Sequence, residues 1–162
     1  MRRAGVTRGA LYHQFPGGKH DLFAAVFEQV EEELTASIGR TLAEAGGDDP
    51  LAAIRAGVDA TLDVALDPAI VRLTILDAPS VLGWAAWREV GERYGLGLVR
   101  AGLAAAMDGG AIARLPLDPL AQLLLASVEE AVVYVARADD KAAAREQAQA
   151  ALHRLLDGLS AP

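Results

Sequence analysis

Cysteine is absent from this 162-residue chain. Its absence excludes disulfides and thiolate zinc sites and suits the cytoplasm. Aromatic residues make up only 5% of the sequence. No β-branched stretch with period-two alternation reaches a useful length, so a sheet has nothing to build on. Alanine and leucine dominate a hydrophobic fraction of 52% instead, a composition that favours helix. No N-terminal apolar segment resembles a signal peptide. The longest uncharged runs, such as 79–87 and 119–128, fall far below the roughly 18–20 residues needed to span a bilayer. The expectation is an all-α, cytoplasmic protein with one hydrophobic core and no membrane partner.

Catalytic patterns are missing too. His13, His20 and His153 are scattered, with no HExxH or other metal-ligand spacing. The four serines form no nucleophile elbow. Gly17-Gly18-Lys19 lacks the rest of a phosphate-binding loop, and no strand precedes it. Neither enzyme activity, a metal nor a cofactor is expected.

Acidic charge is lacking in one place only. The net charge is −7, yet residues 1–20 hold Arg2, Arg3, Arg8 and Lys19 and no acid. The other 11 of the 15 basic residues face 22 acidic ones. A small basic tip on an acidic body can bind nucleic acid locally while the body discourages non-specific adhesion.

The helices are punctuated by Asp-Pro pairs. Asp49-Pro50, Asp67-Pro68 and Asp118-Pro119 each offer a carboxylate N-cap and a proline whose missing N–H costs nothing. Gly46-Gly47 and Gly109-Gly110 supply stops. The segments so delimited are 7–14, 19–45, 50–66, 68–77, 79–107 with a break near Gly91 or Gly95, 119–137 and 141–158. In the second, Leu22, Val26, Val30, Leu34 and Ile38 recur every four residues, with Glu31, Glu32 and Glu33 turned partly to water.

The last two helices carry wide apolar stripes, including Leu120, Leu124, Val128 and Val132 on one and Leu152, Leu155 and Leu156 on the other. Such stripes suit helices buried on more than one side. A dimer seam or an intramolecular hairpin would each account for them.

Residues 4–23 are the most informative. Thr7 is placed to cap a short helix, and Arg8, Gly9 and Ala10 lie at its leading end, where a recognition helix meets base edges. Gly9 lets a groove wall come close. Tyr12 and His13 follow one turn on, suited to phosphate contacts, and Lys19 opens the next helix beside free N–H groups.

This order of residues, from Ala4 to Phe27, resembles the TetR family of bacterial transcription regulators. The segment Leu76–Trp84, with Trp87 and Arg88, looks like one branch of that family's ligand-binding domain. The resemblance implies a helix-turn-helix remnant followed by a TetR-type helical ligand-binding and dimerisation domain. It implies Arg8, Gly9 and Ala10 facing bases and Tyr12, His13 and Lys19 facing phosphates, with Leu11 and Phe15 in the head's small core. Residues 1–45 would form a partial head and connecting helix, and residues 46–162 the ligand-binding and dimerisation domain. The middle helices would surround a pocket, and Leu120, Leu124, Val128, Val132, Leu152, Leu155 and Leu156 would form a dimer seam. The chain begins inside the family's motif, so the supporting first helix would lie upstream of Arg2. Residues 1–162 alone are therefore expected to bind DNA weakly. The Pro16-Gly17-Gly18 linker is one residue longer than the commonest form.

For the pocket, the scarce aromatics Trp84, Trp87, Tyr94 and Tyr134 stand out, with the charged Arg72, Asp77, Glu129 and Glu130 set among apolar runs and Arg88 one turn on from Trp84. Aromatic walls with one or two buried charges suit an amphipathic molecule. Glu129 or Asp77 would favour a cation, and Arg72 or Arg88 an anion. Equally, the tryptophans could be core, Asp77 a cap or the partner of Arg72. The leading expectation is a homodimeric repressor released from a palindromic operator by a small-molecule effector. Its alternative is a dimeric helical ligand-binding module that does not touch DNA.

Overall fold

The computed structural model describes residues 13–47 and 49–160. The expected helix over 7–14, with Thr7, Arg8, Gly9, Ala10, Leu11 and Tyr12, lies outside them except for its last two residues. Among the described residues the protein is all-α, and its one extended feature is an isolated bridge between Ile112 and Ser160.

The long helix α1 (Lys19–Gly46) packs along α2 (Pro50–Val64). Then follow α3 (Pro68–Val71), a π-helical segment Arg72–Asp77, and α4 (Ala78–Leu82). After Gly83 the chain resumes as α5 (Trp84–Gly91), a second π-helical segment Glu92–Leu96, and α6 (Gly97–Asp108). An antiparallel pair, α7 (Leu117–Arg137) and α8 (Lys141–Asp157), completes the body.

Aspartate capping sets two of these starts as expected. Asp49 accepts from the N–H groups of Leu51 and Ala52, and Asp67 from Ala69 and Ile70. Asp118 does not cap. α7 begins two residues earlier than expected, at Leu117 behind Pro116, and Asp118 pairs with Arg100 at 2.8 Å. Asp140 caps α8 through the Ala143 N–H instead.

The helix expected over 79–107 does break, but at Gly83 rather than at Gly91 or Gly95. Gly83 has φ 83° and ψ 155°, a conformation that closes the helix. Around Gly91 and Gly95 the chain stays helical by widening into a π turn.

The first π segment has a local cause. Pro79 has no N–H and its ring crowds the carbonyl four residues back, so the regular ladder cannot continue. Ala78 donates to Leu73 in the π register. In that register Pro79 would serve the Thr74 carbonyl and cannot. The Trp87 indole N–H takes its place at 2.9 Å.

The main core lies between α2, α6, α7 and α8, with Leu62, Leu103, Val135 and Leu156 almost fully enclosed. It takes in most of the residues expected for the seam. Leu124, Val128, Val132, Leu152 and Leu156 are buried in the chain's own core, and Leu120 packs against it. Only Leu155, 61% exposed, faces outward. Both helices are wide-striped because one stripe is spent inside the protomer. Their other sides expose Leu123, at 67%, and Tyr134.

α7 also qualifies the expectation drawn from uncharged runs. By length and a mean hydropathy of 1.4 it is apolar enough to cross a bilayer. Its side chains Ala121, Leu124, Val128, Val132 and Val135 are instead buried in the core shared with α2, α6 and α8.

Candidate ligand cavity and DNA-facing residues

A cavity of about 180 Å³ opens between α1 and the body. α1 contributes Phe27, Glu31, Leu34, Thr35, Ile38 and Leu42, a stripe at helical spacing on one face. Ile54, Val58 and Thr61 of α2 form the opposite wall, Thr74 and Trp87 one end, and Leu124, Val128, Glu129 and Val132 of α7 the floor. Glycines make the approach possible. A Cβ on Gly57 would collide with Leu42, one on Gly95 would lie 3.1 Å from Leu125 Cδ1, and one on Gly91 would lie 3.3 Å from Glu129 Oε1.

The lining is almost wholly apolar, and among the described residues Glu31 and Glu129 are its only ionisable side chains. Burial pushes the Glu31 carboxyl up to about 7, with the charge of Glu129 adding to the rise. Burial raises Glu129 as well; Arg88 pulls it back and Glu92 pushes it up. Arg88 stands behind this group, with Nη2 donating to Glu92 Oε1 at 3.0 Å and Nη1 3.5 Å from Glu129 Oε2. Among the described residues Glu31 has no ion-pair partner.

The structure divides the expected pocket residues. Trp87 and Glu129 line the cavity, and Arg88 supports Glu129 from outside it. Arg72 and Asp77 form an exposed pair at 3.5 Å, away from the lining. Trp84 is 65% exposed, with its ring 4.8 Å from that of Trp87. Tyr134 lies on the outer side of α7 and donates to Gln147 at 2.9 Å.

Glu31, expected to turn partly to water, is the residue the sequence reading missed. Val26, counted on the buried stripe, is exposed, whereas Phe27 is enclosed. The stripe runs through Phe27, Leu34, Ile38 and Leu42, and Glu31 fills its empty position. An acid at that register was the available signal.

At the other end of α1, His13 and Lys19 are both exposed. The helix starts after Gly18, at φ 69°, and has no side-chain cap. The Asp21 carboxylate accepts the Gly17 N–H at 2.6 Å and lies 3.7 Å from His20. A negative charge therefore stands beside the helix start that Lys19 opens. Among the described residues no three His, Asp or Glu side chains cluster as a metal site.

Comparison with known proteins agrees with this architecture. Residues 51–159 match the family described as tetracyclin repressor-like, C-terminal domain, and residues 1–26 match bacterial regulatory proteins, tetR family. A crystal structure of a TetR-family transcriptional regulator from Pectobacterium atrosepticum is similar, with a TM-score of 0.87 and 34% identity. The alignment covers 99% of this chain and 81% of that one. No curated protein matches the sequence. Fold and matches together define a helix-turn-helix transcriptional regulator. Within that class, the chain belongs to the TetR family, whose members bind DNA and act as dimers and are generally not enzymes.

Proposed function

We propose that the protein is a cytoplasmic, homodimeric repressor, released from a palindromic operator when a small molecule enters the cavity. The observation that carries the ligand response is the position of α1. The helix that leaves the DNA-facing residues is also a wall of the cavity, through Phe27, Glu31, Leu34, Thr35, Ile38 and Leu42. An occupant touching this wall favours whichever setting of α1 it fits better, and it moves the equilibrium by that difference in affinity. In this reading residues 1–45 carry the DNA-reading head and, through α1, one wall of the cavity, and residues 46–162 supply the rest of the sensing and dimerisation domain.

In this reading Thr7 caps the recognition helix, Arg8, Gly9 and Ala10 address bases, and Tyr12, His13 and Lys19 address phosphates. Two heads reading successive major grooves stand roughly 34–36 Å apart. The seam between protomers uses the outer sides of α7 and α8, where Leu123, Ser127, Tyr134, Ala151 and Leu155 face away from the core. Leu155→Glu should convert a dimer to a folded monomer in sedimentation. An unchanged dimer would exclude that face.

The deciding experiment is a mobility shift on the protein's own upstream DNA, using the product of the whole reading frame that holds these residues. Retardation should weaken steeply with salt and vanish with an effector. Arg8→Ala should change sequence preference, and Tyr12→Phe should weaken all sites alike. No retarded species at low salt would leave a helical ligand-binding module that does not act on DNA.

A further inference from the structure

Three features of the cavity have no part in a purely apolar pocket. Glu31 and Glu129 both line it, and among the described residues no basic side chain does. The nearest cation, Arg88, is shared between Glu92 and Glu129. With all four groups ionised, three acids face one base, so the site holds a surplus of two negative charges.

We infer that the cavity takes an amphipathic organic cation, a quaternary or protonated amine on a single-ring or short branched apolar body, with Glu31 and Glu129 as its counter-ions. The inference deepens the ligand-responsive reading above and rests on it. The apolar body replaces water against Leu34, Ile38, Val58 and Val128. The cationic head meets the carboxylates and, in the wall beside them, the indole of Trp87, whose face attracts positive charge. Size agrees: a cavity of about 150 Å³ suffices for benzene, and this one is about 180 Å³. Among the described residues an anion would find no unshared base, and a bare metal ion would find too few ligands.

Binding should also depend on pH. Below neutrality Glu31 holds a proton, through burial and the charge of Glu129, which the cation must displace. The other charged groups on the elements packed against α1 are engaged elsewhere. On α2, Asp59 meets His153, Asp63 meets Arg145 and Arg55 meets Asp157. On α5 and the second π segment, Glu89 and Arg93 pair with each other, Arg93 also with Glu28 of α1, and Arg88 holds Glu92. α4 carries no charge, and Arg72 pairs with Asp77 ahead of it. Glu130, next to Glu129 on α7, is exposed.

The test is calorimetric titration of the full chain with three probes of similar size: benzyltrimethylammonium, its neutral isostere neopentylbenzene, and phenylacetate. Benzyltrimethylammonium should bind at least tenfold tighter than either at pH 8 and lose about tenfold in affinity by pH 6, as displacement of one proton requires. Glu31→Gln should remove at least tenfold of its affinity, abolish the pH dependence and leave neopentylbenzene unchanged. Should Glu31→Gln lower the melting temperature, Glu31→Met supplies a second neutral variant with the same expectation. Preference for neopentylbenzene or phenylacetate would overturn the charge assignment while leaving a ligand-responsive regulator. Binding of none of the three, together with no shift in melting temperature, would remove the cavity as a ligand site and both readings with it.

Discussion

Two regions of the body handle charge in opposite ways. Between α2 and α8, acids and bases meet one to one: Asp59 with His153 at 2.8 Å, Asp63 with Arg145 at 2.7 Å, and Arg55 with Asp157. These pairs lie at the margin of the core, where solvent and side-chain entropy leave each worth about 0–1 kcal/mol. Between α1 and α7, in an apolar cavity, Glu31 has no ion-pair partner among the described residues and Glu129 shares one arginine with Glu92, and both carboxylates titrate above the usual range. The first region is matched and quiet. The second carries an electrostatic imbalance, which lowers the stability of the empty protein at neutral pH and leaves something for an occupant to relieve.

Four substitutions test this contrast. The largest effect belongs to the matched region, where apolar packing rather than charge supports the fold. Leu156→Ala, at a side chain 1% exposed, should cost about 3–4 kcal/mol in urea unfolding. A loss below about 1 kcal/mol would mean that α8 is not part of the cooperative core.

The next effect is of opposite sign. Glu31→Gln should stabilise the empty protein, raising its melting temperature by roughly 3 °C at pH 8. The sign follows from its raised pKa. Between the ordinary glutamate value of 4.5 and about 7 the folded carboxyl keeps a proton that the unfolded one has lost. Glu31 therefore loses its stability contribution as pH rises through that window. At pH 4 the variant should gain almost nothing. Equal gains at pH 4 and pH 8 would show that the substitution acts through packing instead.

Arg88→Gln should destabilise, by about 1 kcal/mol at pH 8, because it strips Glu129 of the cation that holds its pKa down. The loss should shrink toward pH 4, where Glu129 is protonated; a pH-independent loss would assign Arg88 a packing role. The smallest effect is expected at the matched margin. Arg145→Met should change stability by less than about 1 kcal/mol, and a larger loss would break the contrast between the two regions.

Much of the scaffold was legible because local chemistry decides it. Asp49 and Asp67 cap because a carboxylate before a proline has few better uses, and α1 runs on through the single Gly39 to the paired stop at Gly46-Gly47. Asp118 misled because Arg100, distant in sequence, claims it. The break at Gly83 was missed since the surrounding residues are good helix formers and the requirement for positive φ is tertiary. The inner and outer stripes of α7 and α8 could not be told apart, because both are leucine-rich and only three-dimensional packing chooses between Leu156 and Leu155.

The candidate site was half legible. Trp87 and Glu129 drew notice as rare residue types in apolar runs, whereas Glu31 was hidden among three successive glutamates that look like a solvated face. Its environment comes from α2 and α7, which sequence spacing along α1 cannot reveal.

The tie between the Trp87 indole and the Thr74 carbonyl has a practical consequence. A ring held by its own N–H gives up that hydrogen bond and leaves the Thr74 carbonyl unserved if it swings aside, so an entering guest is favoured when it lies against the ring as it stands. Of the two tryptophans in the chain, this one is held beside the empty space. Its emission should register occupancy directly, without an added dye, once Trp84 is replaced by phenylalanine.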